Sequence, residues 1–285
     1  MNFSSPRRPS YAARLAFQPY SVLRRRNEMS LRDQLEALMP TSGPFERLEI
    51  VDPADLTSEE TAVIPPGWIT AAQMEGPAAV RAALQLWEAA LPSRLPGTVA
   101  DIRSRGLDVL IGRAYPGGEF PARLVLVYAL SVSSPVRKID ACFGYLPAPA
   151  DALPPFWSRL THNIGRFHTG VHDGLRTQLG GLLPSTGLRP VSADPVRAEA
   201  PQPEFLDQNF NALPAERIPR LEDLVVLVRT FSDGVAVDLS DPDLAAWDVT
   251  DLFQPSKLET WSAIDAALMD CLSTPVESYT EFGYE

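Results

Sequence analysis

The sequence predicts an α+β protein: an antiparallel sheet with flanking helices, built as two lobes or as one elaborated domain. Three observations carry that expectation. Apolar residues recur at helical spacing in two separate segments, from Pro77 and from Ser256. Between residues 107 and 146 strand-like runs follow one another through turn residues rather than through helices. Finally, LVVLVRT (Leu224 to Thr230), the turn Phe231-Ser232-Asp233-Gly234 and VAVDL (Val235 to Leu239) read as a β-hairpin, because Asp-Gly tolerates the positive φ angles of tight hairpin turns.

From Met29 the elements are expected in the following order. Ser30 is placed to cap a short helix carrying Leu31, Leu35, Leu38 and Met39, stopped by Pro40, after which the chain is loop-rich. Pro77 opens a helix with Val80, Leu84, Trp87 and Leu91 on one stripe, and Pro92 closes it. A shorter helix over Val99 to Arg105 ends on Gly106. Strands follow at Leu107 to Arg113, Ala122 to Val132 and Ile139 to Leu146. The run Leu124-Val125-Leu126-Val127 with Tyr128 implies a strand covered on both faces. The Pro/Ala connector from Leu146 to Pro155 is stiff and poor in N–H donors, which places a lobe boundary there. Beyond it a helix from Pro154 or Pro155 to about Val171 aligns Phe156, Trp157, Leu160, Ile164, Phe167 and Val171, with Asp173-Gly174 as its stop. Ser192 to Arg220 has no period and reads as a long loop or small excursion. Ser256-Lys257-Leu258-Glu259 has the capping-box pattern, opening a last helix with Leu258, Trp261, Ile264, Leu268 and Leu272 on one face. The division that results is a leader 1–28, an N-terminal lobe 29–146, a C-terminal domain 151–273 and a tail 274–285.

Charge narrows the function classes. The chain has 25 Lys and Arg against 36 Asp and Glu; six arginines (Arg7, Arg8, Arg14, Arg24, Arg25, Arg26) and only Glu28 lie in the first 28 residues, leaving 19 bases against 35 acids from Met29 onward. A body that acidic repels phosphate backbones and attracts basic proteins, so nucleic acid is excluded as a partner and a basic protein is expected. The Arg-rich leader fits an organelle transit sequence or, better, a disordered extension ahead of a natural start at Met29. No run approaches the 18 or so consecutive apolar residues of a membrane span. Two isolated cysteines, Cys142 and Cys271, fit buried thiols in a reducing compartment, and a cytoplasmic location is expected.

Tests for chemistry return little. His168 and His172 stand at i, i+4, which on a helix puts both rings on one face as in a metal pair. Against that, Thr169 occupies the position of a zincin general base, His162 lies about 120° around the helix, and a helix C-terminus favours imidazolium at His172. The run Asp238, Asp241, Asp243, Asp248, Asp251 lacks the Gly and Glu spacing of a calcium loop. No Gly-rich phosphate loop and no nucleophile elbow is present. No catalytic residue, metal or cofactor is therefore expected. The candidate binding surface is instead the acidic edge of Asp233, Asp238, Asp241, Asp243, Asp248 and Asp251 around Trp247, read as an exposed aromatic anchor for a basic partner.

Over roughly residues 151–273 the ordered features resemble the SUKH superfamily (the Smi/Knr type). These are the Leu153-Pro154-Pro155-Phe156-Trp157 helix start, the His172-Asp173-Gly174 stop, Gly181 to Pro184, the Asp-Gly hairpin and the terminal helix from Ser256. That resemblance implies a non-enzymatic immunity protein, of the kind paired with toxins of polymorphic and type VI secretion systems, which neutralises a cognate toxin by occluding its active site. A regulatory protein-binding scaffold of the same fold is the alternative, and a metal-dependent hydrolase centred on His168 and His172 a third.

Overall fold

The computed structural model describes residues 29–42, 44–118, 120–133, 138–193, 204–207, 209, 211–230, 234–249 and 255–273. The leader 1–28 and the tail 274–285 lie outside them. Among the described residues the helices are α1 (Leu31–Ser42), α2 (Ser58–Val63), α3 (Pro66–Ala72), α4 (Pro77–Ala90), α5 (Pro96–Arg105), α6 (His162–Gly170) and α7 (Thr260–Ser273). The strands are β1 (Arg47–Val51), β2 (Gly106–Tyr115), β3 (Arg123–Ser131), β4 (Ile139–Tyr145), β5 (Leu175–Arg176), β6 (Gly181–Leu182), β7 (Leu224–Arg229), β8 (Gly234–Asp238), β9 (Ala246–Asp248) and β10 (Ser256–Leu258). All ten form one sheet in chain order, every neighbour antiparallel. The α+β expectation holds. The Pro/Ala connector separates β4 from β5, which nonetheless pair through Phe143 with Arg176 and Gly144 with Leu175, so the sheet runs on across it.

Period-two alternation sorts the side chains into three buried clusters. On β3, Leu126, Tyr128 and Leu130 join the main core with α3 to α7, while Val125, Val127 and Ala129 face α1 on the other side with Phe45, Leu48 and Phe143. The strand is covered on both faces, as its unbroken apolar run implies. In the C-terminal half Val225 and Leu227 point to the α7 side, and Leu224 and Val226 to a third cluster with Val191, Phe205 and Trp247. A bulge between Val226 and Val228 returns Val228 to the α7 side.

Three departures from the predicted elements have local causes. The stretch taken as loop-rich holds β1, α2 and α3: Arg47 to Val51 pair with β2, and Thr57 and Glu60 form a reciprocal capping box. The helix expected from Pro154 or Pro155 begins seven or eight residues late, at His162, because a 3₁₀ turn (Trp157–Arg159) intervenes and Thr161 is the N-cap, its hydroxyl accepting from the Ile164 N–H. Ser256 to Leu258 pair with β9 as β10, so Ser256 opens no helix; the Glu259 carboxylate takes the N–H of Ser262 at 2.7 Å and caps α7 instead. Those backbone donors hold the Glu259 carboxyl below its ordinary range.

Distant elements are tied by buried polar contacts. α5 starts at Leu95-Pro96 with no side chain of its own to cap it. Asp265 of α7, 9% exposed, does so across the fold, accepting from Gly97 N (2.8 Å), Thr98 N (2.8 Å) and Thr98 Oγ1 (2.6 Å). At the other end Arg113 of β2 grips Glu60 of α2 through two hydrogen bonds, 2.6 and 2.8 Å, and reaches Glu49 of β1 at 2.9 Å. That fork holds the Glu60 carboxyl down to about 2. Asp265→Ala leaves two N–H groups and the Thr98 hydroxyl without their acceptor, and is expected to cost about 2–3 kcal/mol in urea unfolding. A loss under about 0.5 kcal/mol would show that the contact is not needed to seat α5.

Candidate functional site

The two histidines expected as a possible metal pair do not face each other. His168 sits within α6, fully buried, its Nδ1 3.0 Å from the Ile164 carbonyl and its Nε2 3.1 Å from the Leu183 carbonyl. His172 lies past the end of α6, also fully buried, with Nε2 2.7 Å from the Tyr128 hydroxyl. Among the described residues no group of three or more His, Cys, Asp or Glu is placed to hold a metal ion.

His172 closes a chain of three side chains. The Trp87 indole N–H donates to Tyr128 Oη at 2.8 Å, and His172 Nε2 is the acceptor within reach of the Tyr128 hydroxyl proton. The imidazole is then neutral with its proton on Nδ1, an atom without a hydrogen-bond partner among the described residues. Burial pushes the His172 pKa down to about 3, the Tyr145 carbonyl opposing it weakly, and pushes the Tyr128 phenol well up. The expected imidazolium at a helix C-terminus is overturned: a dipole worth about 0.3–1 kcal/mol does not outweigh full desolvation. Trp68, Trp87 and Phe167 pack their rings around His172 at centroid distances of 5.1, 5.9 and 5.8 Å. Gly144 lies against it so closely that a Cβ there would stand 2.2 Å from Nδ1.

The acidic edge is a different matter. Trp247, predicted exposed, is 2% exposed and stacks edge-on with Phe205, ring centroids 5.2 Å apart. The reason is topological: β9 is interior to the sheet, between β8 and β10, and Phe205 and Leu213 pack over its face. Asp238 is 8% exposed, its Oδ1 taking the Ser240 N–H (2.8 Å) and hydroxyl (2.6 Å), so it locks the β8 to β9 turn from inside. Asp241 caps the Asp243 N–H at 2.8 Å and stands 3.6 Å from Lys257 Nζ, while Asp243 is exposed. Asp233 and Asp251 lie outside the described residues.

Asp248 belongs to a feature that sequence reasoning missed. One residue from Trp247, it points to the opposite face of β9 and, with Glu259 and Asp270, rims a cleft of about 390 Å³ between α7 and the β8–β9 end. Its floor is small and apolar: Gly234, Val235, Ala263, Ala266 and Ala267. No Lys or Arg lines the cleft among the described residues. The signal was present in the Ala263, Ala266, Ala267, Asp270 spacing of α7, but only the strand pairing shows that this flank faces Asp248.

Compared with protein-family models, curated proteins and solved structures, the chain matches none. No helix among the described residues is long and apolar enough to cross a membrane.

The neutral, buried His172 carries a pH dependence. Its folded pKa lies below the ordinary value of 6.5, so between pH 6.5 and about 3 the unfolded chain binds the extra proton and stability falls as pH falls. The loss approaches about 1.4 kcal/mol per pH unit, or about 2 kcal/mol between pH 7.5 and 5. Urea unfolding at the two pH values, compared between the parent and His172→Phe, should show a drop about 2 kcal/mol smaller in the variant; equal drops in both proteins would place the imidazole in contact with solvent.

Proposed function

We propose that this chain is a non-enzymatic binding protein of the immunity type, which captures a basic toxin or effector in the cytoplasm through its C-terminal sheet end and occludes it. The observation that carries the reading is the acid-rimmed cleft between α7 and β9, three carboxylates over an alanine floor, lying at the same end as the Asp241 and Asp243 turn. Such a cleft accepts the aliphatic stem of Lys or Arg while presenting acids to its head group. The surplus of 35 acids over 19 bases from Met29 onward would steer a basic partner toward the body of the protein. The sequence resemblance of residues 151–273 to SUKH immunity proteins supports the same reading.

The test starts from the product of the adjacent reading frame, co-expressed with and without this protein. Rescue of growth and a nanomolar complex are expected; no toxicity to rescue and no basic partner bound would overturn the reading. Within such a complex, charge reversal at Asp243 and Asp248 should slow association about tenfold at low salt and flatten its salt dependence. Unchanged association kinetics would move the interface off this end of the sheet.

A further inference from the structure

A cavity of about 620 Å³ lies at the β1 end of the sheet, where the start of α1, the end of β1, the α3 to α4 turn and β2 come together. One side of its wall is apolar, with Leu31, Met74 and Leu110. Met74 is 41% exposed, and Leu107, next to the lining Asp108, is 36% exposed.

The charged groups of the wall are unequal. Three are acids, Asp52, Glu75 and Asp108, against one base, Arg32. That base is engaged elsewhere: its guanidinium donates to the Ile50 carbonyl and stands 3.5 Å from Glu36. Asp52 accepts from Ala54 N at 2.8 Å, and Asp108 from Gly76 N at 3.1 Å and Val109 N at 2.8 Å, in each case through one carboxylate oxygen. Glu75 is exposed and has no hydrogen bond or ion pair among the described residues. Burial lifts the Asp108 carboxyl above its ordinary range against its backbone donors, and the Glu75 charge adds to the rise. A cation entering here meets acids that no base of the wall neutralises.

The chain itself brings such cations to the mouth. Ser30 caps α1, its N–H and hydroxyl donating to the Asp33 carboxylate at 3.3 and 2.7 Å while the Asp33 N–H returns to Ser30 Oγ at 3.2 Å. Gln34 Nε2 holds the Met29 carbonyl at 2.9 Å, so the backbone is pinned back to Met29, and Ser30, Leu31 and Arg32 line the cavity. Immediately upstream the leader reads Tyr20-Ser21-Val22-Leu23-Arg24-Arg25-Arg26-Asn27-Glu28. At about 3.5 Å per residue, Arg26 lies within about 14 Å of chain from Ser30 and Arg24 within about 21 Å, so all three guanidinium groups have the reach to enter. A tether this short acts at millimolar effective concentration, enough for weak contacts to hold the segment.

We propose that this cavity is the docking site of the chain's own leader, with Arg24, Arg25 and Arg26 against Asp52, Glu75 and Asp108 and the Tyr20 to Leu23 stretch covering Met74 and Leu107. The site lies at the other end of the sheet from the acid-rimmed cleft and stands whether or not a basic partner binds there.

The experiment is limited trypsin digestion of the full chain, with cleavage after Arg24, Arg25 and Arg26 followed by mass spectrometry against cleavage after Arg14 of the same leader. At about 0.02 M ionic strength the triplet should be cut about tenfold more slowly than Arg14, and at about 0.5 M the two should be cut alike. Glu75→Lys, an exposed change at a residue without a bonded partner, should abolish the difference at low salt, and Met74→Ser should reduce it. Glu216→Lys, the same change of charge at an exposed position in the C-terminal half, should leave it intact. Equal cutting at low salt, or a difference that survives Glu75→Lys, would overturn the proposal. A difference that persists at high salt reflects only the bulk of the neighbouring fold and overturns it too. Protection that grows with protein concentration, with dimers in sedimentation, assigns the cavity to the leader of a second copy and likewise counts against it.

Discussion

Helices α3, α4 and α6 are referred to the sheet through a run of polar atoms kept dry: indole N–H to phenol to imidazole, from Trp87 of α4 through Tyr128 of β3 to His172 beyond α6. The first bond has one possible direction, since an indole cannot accept, and it leaves the Tyr128 hydroxyl proton for His172 Nε2. That fixes the tautomer of His172 and with it the orientation of the ring against Gly144 of β4. Trp68 of α3 joins the same centre by donating its N–H to the Val171 carbonyl at 3.1 Å. Three helices and two strands therefore share one arrangement, and loss of the Tyr128 hydroxyl takes away the partner of both the Trp87 N–H and His172 Nε2.

A ten-strand meander of this kind has two long faces and needs cover on both. Helices α3 to α7 cover one face over its whole length; on the other, α1 covers only the strands near β1 to β4. The remaining apolar surface of β7, β8 and β9, with Trp247 at its centre, is closed by Phe205 and its neighbours in a segment with almost no regular structure. This is why an aperiodic, proline-rich stretch is tolerated there: its backbone groups borrow partners from Pro255 and Lys257 of the sheet end.

How much of this the sequence disclosed depended on whether the determining contact was local. The α4 stripe, the long β3 run and the Leu224 to Leu239 hairpin follow from periodicity within one segment, and each stands where it was expected. The capping pattern at Ser256 misled because a three-residue strand competes with a helix start for the same residues, and the neighbouring β9 decides between them. The cap of α5 by Asp265 was invisible because its two partners are more than 160 residues apart. At the candidate site the acids were visible as a run, but their exposure was not. Asp238 and Trp247 are interior, and only Asp241, Asp243 and Asp248 among the described members of the set reach beyond it.

The same period of two that buried Trp247 gives the end of the sheet its division of chemistry. Adjacent residues of β9 look in opposite directions, so Trp247 lines one cavity, with acids and bases both in its wall, and Asp248 a cleft whose charged groups among the described residues are all acids. Neither arrangement requires the other side chain, and the strand between them is pinned on both flanks, by β8 and by β10. A short, doubly paired strand is a rigid partition. Occupancy on one face therefore has no evident lever on the other except through the Asp241 to Lys257 pair, which borders the Trp247 cavity and anchors the turn that carries Asp243. A half-exposed pair at 3.6 Å is a weak link in water, so little coupling between the two faces is expected.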